Sequence, residues 1–430
     1  MSAGRSAPDA PTSAVVWRYG LVGLPLAGAA LPLYLLTPQL YAGGLGLPLA
    51  WVGAALMASR LVDAFVDPLL GQWIDRTKGP RFERWIVPAL VLLCLGLAAL
   101  FLPPANLLGQ TTLLIWMTLA AILVSLANSA AGLAHQAWPV AWGLPETQQA
   151  RLVSARELLT LTGVILASMA AAMGAPVIIV AFVWGSSLVG AMGVRGLPGQ
   201  VREGSRAAHA PLSLWRGLTA LDPRGRATFL CLALNALANA IPATLFLFFV
   251  SDALGLSQSA SAGLLALYFL CALTAIPLWN RGIQRGLSAK RAWILALSGS
   301  VLLFLCVPWL GAEQAWLFVV VCIGTGLCLG AELIAPALLI SQSLQRVGLS
   351  DSRNGEFFGL WNLMAKLALA LAAGGTLPLL DLLGYQPGQA AAPFALGLVY
   401  AGLPCLLKLT ALLTYLSLEK RHDRNATSDL

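Results

Sequence analysis

Pro68-Leu-Leu-Gly-Gln-Trp-Ile-Asp-Arg76 and Pro277-Leu-Trp-Asn-Arg-Gly-Ile-Gln-Arg285 align without a gap. Each closes a long apolar run and leads into a turn rich in Lys and Arg. Working outward, apolar runs lie near 16–36, 45–74, 84–103, 111–142, 152–172 and 174–194. After a polar stretch at 195–225 they resume near 226–251, 258–284, 290–310, 315–345, 354–383 and 391–418. Each reaches or exceeds the roughly 20 residues that a helix needs to cross a bilayer.

Composition agrees with that reading. The chain is 58% hydrophobic and only 10% charged, too little charge to cover a water-soluble protein of this length. In lipid the backbone must satisfy its own hydrogen bonds, and these runs are too long and too evenly apolar for barrel strands, which leaves helices. The net charge of +8 does not point to nucleic acid, because the basic residues form no patch and sit in short turns. Cys94, Cys231, Cys271, Cys306, Cys322, Cys328 and Cys405 all fall singly inside apolar runs, as small hydrophobes do. His135, His209 and His422 are too scattered to hold a metal. The first dozen residues are polar, and no short apolar core followed by a cleavage site comes after them, so the first run is expected to remain as a spanning helix.

Lys and Arg set the orientation. Arg76, Lys78, Arg81 and Arg84 follow the second run, and Arg195, Arg202, Arg206, Arg216, Arg224 and Arg226 fill the middle. Arg281, Arg285, Lys290 and Arg291 follow the eighth run, and Lys420, Arg421 and Arg424 form the tail. The alternate turns near 37–48, 103–111, 252–258, 310–314 and 384–392 have neither residue. Even-numbered turns and both termini are therefore expected in the cytoplasm of a bacterial-type inner membrane. The pattern predicts an N-terminal bundle of six helices over 1–194, a linker over 195–225 and a C-terminal bundle over 226–430. Two such halves resemble the major-facilitator architecture, an all-α fold in which solute sits near mid-membrane and the halves rock to expose it to each side.

Ionisable residues inside spans cost a few kcal/mol each and need a reason to be there. Arg60, Asp63 and Asp67 fall at spacings of three and four, on one helical face. Two carboxylates one turn apart can hold a hard monovalent cation such as Na⁺, or share a proton, because like charges this close raise one pKa. The second half carries Phe269, Ala272 and Ile276 in their places, so the repeat keeps the helix and drops the charge. Lys366, near the middle of the eleventh run, is expected to pair with Asp63 or Asp67. Glu332 is a candidate proton carrier or solute contact, whereas Lys408 is expected to snorkel to the cytoplasmic surface. Gly71, Asp75 and Arg76 are expected to form a cytoplasmic gate latch that works through Asp75 and helix ends.

Arg60-Leu-Val-Asp63-Ala-Phe-Val-Asp67-Pro-Leu-Leu-Gly71, followed by Asp75-Arg76-Thr77, resembles the second-helix signature of the glycoside–pentoside–hexuronide:cation symporters, the melibiose-permease group. The likeness continues at Arg151-Leu-Val-Ser-Ala-Arg156-Glu157, at Gly355-Glu-Phe-Phe-Gly-Leu-Trp361-Asn-Leu-Met-Ala-Lys366 and at Leu403-Pro404. The resemblance implies that Asp63 and Asp67 are cation ligands, Arg156 a substrate-site residue and Lys366 a charge near the cation. The chain departs from that pattern where sugar is held. Ala27 stands at the helix-1 acid, Gly132 at the helix-4 acid, Gln136 at a nearby tryptophan and Ser341 at the helix-10 acid. The coupling site is kept and the sugar grip is rebuilt.

The expectation is a cation-coupled symporter, acting as a monomer without a cofactor, for a small polar solute such as a sugar, glycoside or organic anion. Arg60, Arg156, Lys366, Glu332, His135, Gln136, Trp361 and Asn362 are its candidate solute or coupling residues. A proton-driven exporter on the same fold is the alternative. No nucleophile with a base, metal cluster or phosphate loop supports an enzyme, and a receptor or scaffold gives no reason for charges within spans.

Overall fold

The structure is a computed structural model that describes residues 10–77, 81–104, 109–172, 176–197, 218–349, 353–385 and 393–428. Lys78, Arg202, Arg206, His209 and Arg216, with most of the expected linker and of the 384–392 turn, lie outside them. All secondary structure among the described residues is helical. Among the described residues eleven helices are long and apolar enough to cross a membrane, and the first apolar run, broken in two, makes a twelfth span.

The break is a local consequence of sequence. The first span comprises Ser13–Gly20 and Gly23–Pro38. Pro25 has no N–H to offer the Leu21 carbonyl four residues back, and its ring crowds that carbonyl, so the helix is interrupted at residues 21 and 22. The second to sixth spans are Leu49–Arg76, Arg81–Phe101, Gln110–Ala141, Glu146–Ala172 and Pro176–Val194. The seventh to eleventh are Pro223–Phe248, Gln258–Gln284, Ala289–Phe304, Ala315–Arg346 and Asn354–Leu382. The twelfth starts as Pro393–Gly397 and continues through Leu403–Ser428. Spans of 32 residues, the fourth and tenth, are about 48 Å long and outreach an apolar core of about 30 Å, so they tilt or project.

The duplication extends to backbone detail. The first span widens into a π-turn at Gln39–Gly44, and the seventh does so at Phe249–Ala253. Both stop at Leu-Gly-Leu, residues 45–47 and 254–256, in the same gapless register as the two opening motifs. Leu45 and Leu254 donate five residues back, to Leu40 and Phe249, and Leu47 and Leu256 donate to Tyr41 and Val250. The glycine between them has a positive φ, 74° at Gly46 and 65° at Gly255, which a side chain would oppose.

By contacts the chain divides into two compact units: Met1–Gly217 with Gly348–Leu360, and Leu218–Val347 with Trp361–Leu430. In the first unit the fourth span packs on the second and third, the sixth on the third, and the first on the fifth and sixth. In the second unit the tenth packs on the eighth and ninth, and the twelfth on the seventh and ninth. With no hydrophobic driving force between helices in lipid, close packing relies on small residues. Gly326 and Gly330 on the tenth span show this: a Cβ at Gly326 would lie 2.5 Å from the Tyr268 carbonyl oxygen of the eighth. Large side chains such as Leu188, Leu302 and Leu413 are more than half exposed, as side chains that face acyl chains are.

Candidate functional site

Asp63 and Asp67 sit on the second span, in the first unit. Both are buried, Asp67 completely. Ser129, reaching from the fourth span, donates its hydroxyl to Asp63 Oδ1 at 2.5 Å. Two carboxylates one turn apart and a hydroxyl therefore come together in a low-dielectric layer. Arg60 shares their spacing but is exposed. Pro68 has no N–H for the Ala64 carbonyl, which loosens the helix beside Asp67.

The start of the eleventh span belongs to the same unit and lies directly on this stretch. A Cβ at Gly359 would stand 2.5 Å from the Asp67 carbonyl oxygen, and one at Gly71 would collide with that of Gly355. Bare glycines let the two backbones meet. Asp75 then caps the incoming helix: Oδ1 accepts from the Gly355 N–H and Oδ2 from the Glu356 N–H, both at 2.9 Å. A carboxylate at a helix N-terminus satisfies orphan donors and the positive end of the dipole together. Arg353 pairs with Glu356 one turn on, at 2.9 Å, and Arg76 is exposed.

Arg156 lies on the fifth span. That span begins at Glu146, so Arg156 is about 15 Å along its axis and 7% exposed. Its Nε and Nη2 both donate to Glu157 Oε1, at 3.0 and 2.6 Å, while Nη1 is buried without a hydrogen bond. The guanidinium is within electrostatic reach of Tyr19 and His135. Tyr19 Oη donates to the His135 carbonyl at 2.6 Å, and His135 Nε2 stands 2.9 Å from the Tyr19 carbonyl. A carbonyl only accepts, so Nε2 carries the proton. The rings lie 4.3 Å apart, and the pair stitches the first span to the fourth. Next to it Gln136 keeps a buried Oε1 without a hydrogen bond, and so does Asn128 with its Oδ1. Ser125, Asn128, Ser129, Gly132 and Gln136 recur at three- and four-residue steps, a polar stripe along the fourth span.

The second unit holds a cluster that sequence reasoning missed. Lys408 does not snorkel: it is 7% exposed and donates to Glu332 Oε1 and Oε2 at 2.6 and 2.8 Å. Ser300 also donates to Oε1, at 3.0 Å, and Asn235 and Asn239 donate to Oε2, at 3.1 and 2.8 Å. The seventh, ninth, tenth and twelfth spans meet at this one carboxylate. A polar asparagine pair four residues apart in an apolar run was the available signal. Trp361, Asn362 and Lys366 are half-buried on the eleventh span, also in the second unit.

The sequence profile of the family described as MFS/sugar transport protein matches residues 17–419. No curated protein matches the chain. Several solved structures share its fold. A bacterial homologue of the iron transporter ferroportin, outward-facing, is 13% identical with a TM-score of 0.75, over 95% of this chain and 99% of that one. The transporter FucP in its outward conformation is 14% identical with a TM-score of 0.68, over 94% and 97%. The human organic anion transporter MFSD10 is 17% identical with a TM-score of 0.66, over 94% and 100%.

Proposed function

The chain belongs to the major-facilitator family of sugar transport proteins, and on that premise we propose that it is a cation-coupled symporter of a small polar solute, close in kind to melibiose permease. One observation carries the proposal: Asp63 and Asp67 are buried one turn apart, with the Ser129 hydroxyl on the first of them. Na⁺ prefers such hard oxygen ligands, and a proton shared between the carboxylates offers the same charge relief. Without the ion the pair is costly to hold in a closed, lipid-deep layer, so the empty-charged state changes face slowly. Once ion and solute are both bound the penalty is gone, which ties the two fluxes together.

Arg156 supplies a donor for a hydroxyl or a carboxylate of the solute, and Gln136 and Asn128 carry acceptors on the fourth span. His135 positions that region through its link to Tyr19. Asp75, with Gly71, is the latch that seats the eleventh span on the second. The basic turns support a cytoplasmic side for this latch and for both termini.

The test needs no knowledge of the solute. Purified protein is expected to bind radioactive sodium, or to take up protons on acidification, with Asp67→Asn eliminating both. In vesicles the same substitution should abolish gradient-driven accumulation. Cation binding at wild-type level in Asp67→Asn rejects the coupling role.

A further inference from the structure

We propose that the turn joining the eighth and ninth spans is a headgroup site for an anionic phospholipid, gripped by Arg281, Arg285 and Arg291. The site is independent of the coupling reading.

The internal repeat shows how this turn departs from its counterpart. In the gapless register of the two opening motifs, residues 72–84 align with 281–293. The first stretch holds four bases, Arg76, Lys78, Arg81 and Arg84, and two acids, Asp75 and Glu83, for a net charge of +2. The second holds four bases, Arg281, Arg285, Lys290 and Arg291, and no acid, for a net charge of +4. Gln284 and Ala292 stand where the first half has its acids, and Arg281 and Arg291 stand where it has Gln72 and Phe82. Retention of a turn on one side of the membrane asks only for bases and is nearly indifferent to acids, so orientation does not account for this difference.

The charge is also unspent. Asp75 caps the eleventh span, and Glu83 Oε2 accepts from the Gly196 N–H at 3.4 Å. Arg18 donates to the Gly193 and Arg195 carbonyls, and Arg353 to Glu356. Arg281, Arg285 and Arg291, by contrast, are exposed, and their guanidiniums make no hydrogen bond or ion pair among the described residues. No Asp or Glu occurs between Asp252 and Glu313. The tenth span, packed on the eighth and ninth, adds the exposed Arg346 at the same end. The turn itself is tightly closed. Gly286, with φ 102°, donates to the Ile283 carbonyl, and Leu287 donates to that of Gly282, the usual glycine closure of a helix. Ser288 Oγ then accepts from the Arg291 N–H at 3.3 Å and caps the ninth span.

The surface beneath the arginines identifies the anion as a lipid. Leu278 lies three residues before Arg281 and Leu295 four residues after Arg291, so each leucine shares a helical face with an arginine. Both leucines are more than half exposed, and Leu302, two turns deeper on the ninth span, is 70% exposed. Guanidiniums bind phosphate oxygens two at a time, and basic clusters at span ends attract anionic headgroups. A phosphodiester on the arginines with its acyl chains along the leucines satisfies both surfaces at once, which a soluble anion does not.

The experiment offers the purified full-length protein, in detergent, equal amounts of phosphatidylglycerol and phosphatidylcholine with identical acyl chains. Native mass spectrometry counts the lipids retained. Wild type should prefer phosphatidylglycerol about tenfold or more. Arg281→Gln combined with Arg291→Gln should remove most of that preference. Arg195→Gln combined with Arg226→Gln deletes the same charge elsewhere and should keep it. All four arginines are exposed, so both variants should fold. Three results overturn the site: wild type retains both lipids equally, the two double variants lose the preference to the same extent, or an excess of inorganic phosphate displaces phosphatidylglycerol, the sign of a site for free anions.

Discussion

Lys408 shows what a residue's position in the sequence does and does not reveal. Its place along the twelfth span suggested escape to the surface, but escape depends on the direction in which a side chain leaves the helix. Here Lys408 points to Glu332, a partner 76 positions away in sequence. Asp63 and Asp67 were legible because both partners share one helix, where spacing alone fixes the geometry. Breaking a buried ion pair strands a charge, at a cost of about 3–5 kcal/mol, whereas replacing both members is often close to neutral. Lys408→Met should therefore strongly lower the melting temperature in detergent, and adding Glu332→Gln should recover most of the loss. A single variant as stable as the wild type would show that the pair does not tie the spans together.

At the scale of elements, hydropathy located nearly every span, yet it could not show the irregularities within them. A π-turn depends on hydrogen bonds five residues apart, and its apolar pattern is that of an ordinary helix end. Only the shared Leu-Gly-Leu at 45–47 and 254–256 marked it, a match too short to stand out without the longer repeat. The Asp75 cap was readable as a helix-end contact, although not its partner. Loss of that cap in Asp75→Ala should cost about 1 kcal/mol, seen as a lower melting temperature. Gly71→Val should do more harm, because its side chain would meet the Gly355 backbone and not a movable side chain. Tyr385, just past the eleventh span, donates to Asp252 Oδ2 at 2.5 Å. Burial first, then that bond, push its phenol above the ordinary value near 10. A raised folded pKa contributes stability below the unfolded value and loses it as pH rises through the folded one. The melting temperature should hold to about pH 10 and then fall less steeply in Tyr385→Phe than in the wild type.

Over the whole molecule, the sequence carried the fold because a bilayer leaves few alternatives. Twelve apolar runs, a duplicated motif and alternating basic turns each limit topology, and together they point to two six-helix units. The Glu332 cluster lay beyond that reading, because Asn235, Ser300, Glu332 and Lys408 converge from separate spans. Orientation rests on charge alone and can be tested directly. In a background without the native cysteines, a cysteine at Gln314 lies in a turn without Lys or Arg, and one at Gln284 lies beside Arg281 and Arg285. Because basic turns are retained on the cytoplasmic side, an impermeant thiol reagent added to whole cells should label the first and spare the second. Inverted vesicles should give the opposite pattern. Labelling of both from one side would require an odd number of spans between the two positions to be replaced by an even one, and the ninth span, Ala289–Phe304, would then not cross.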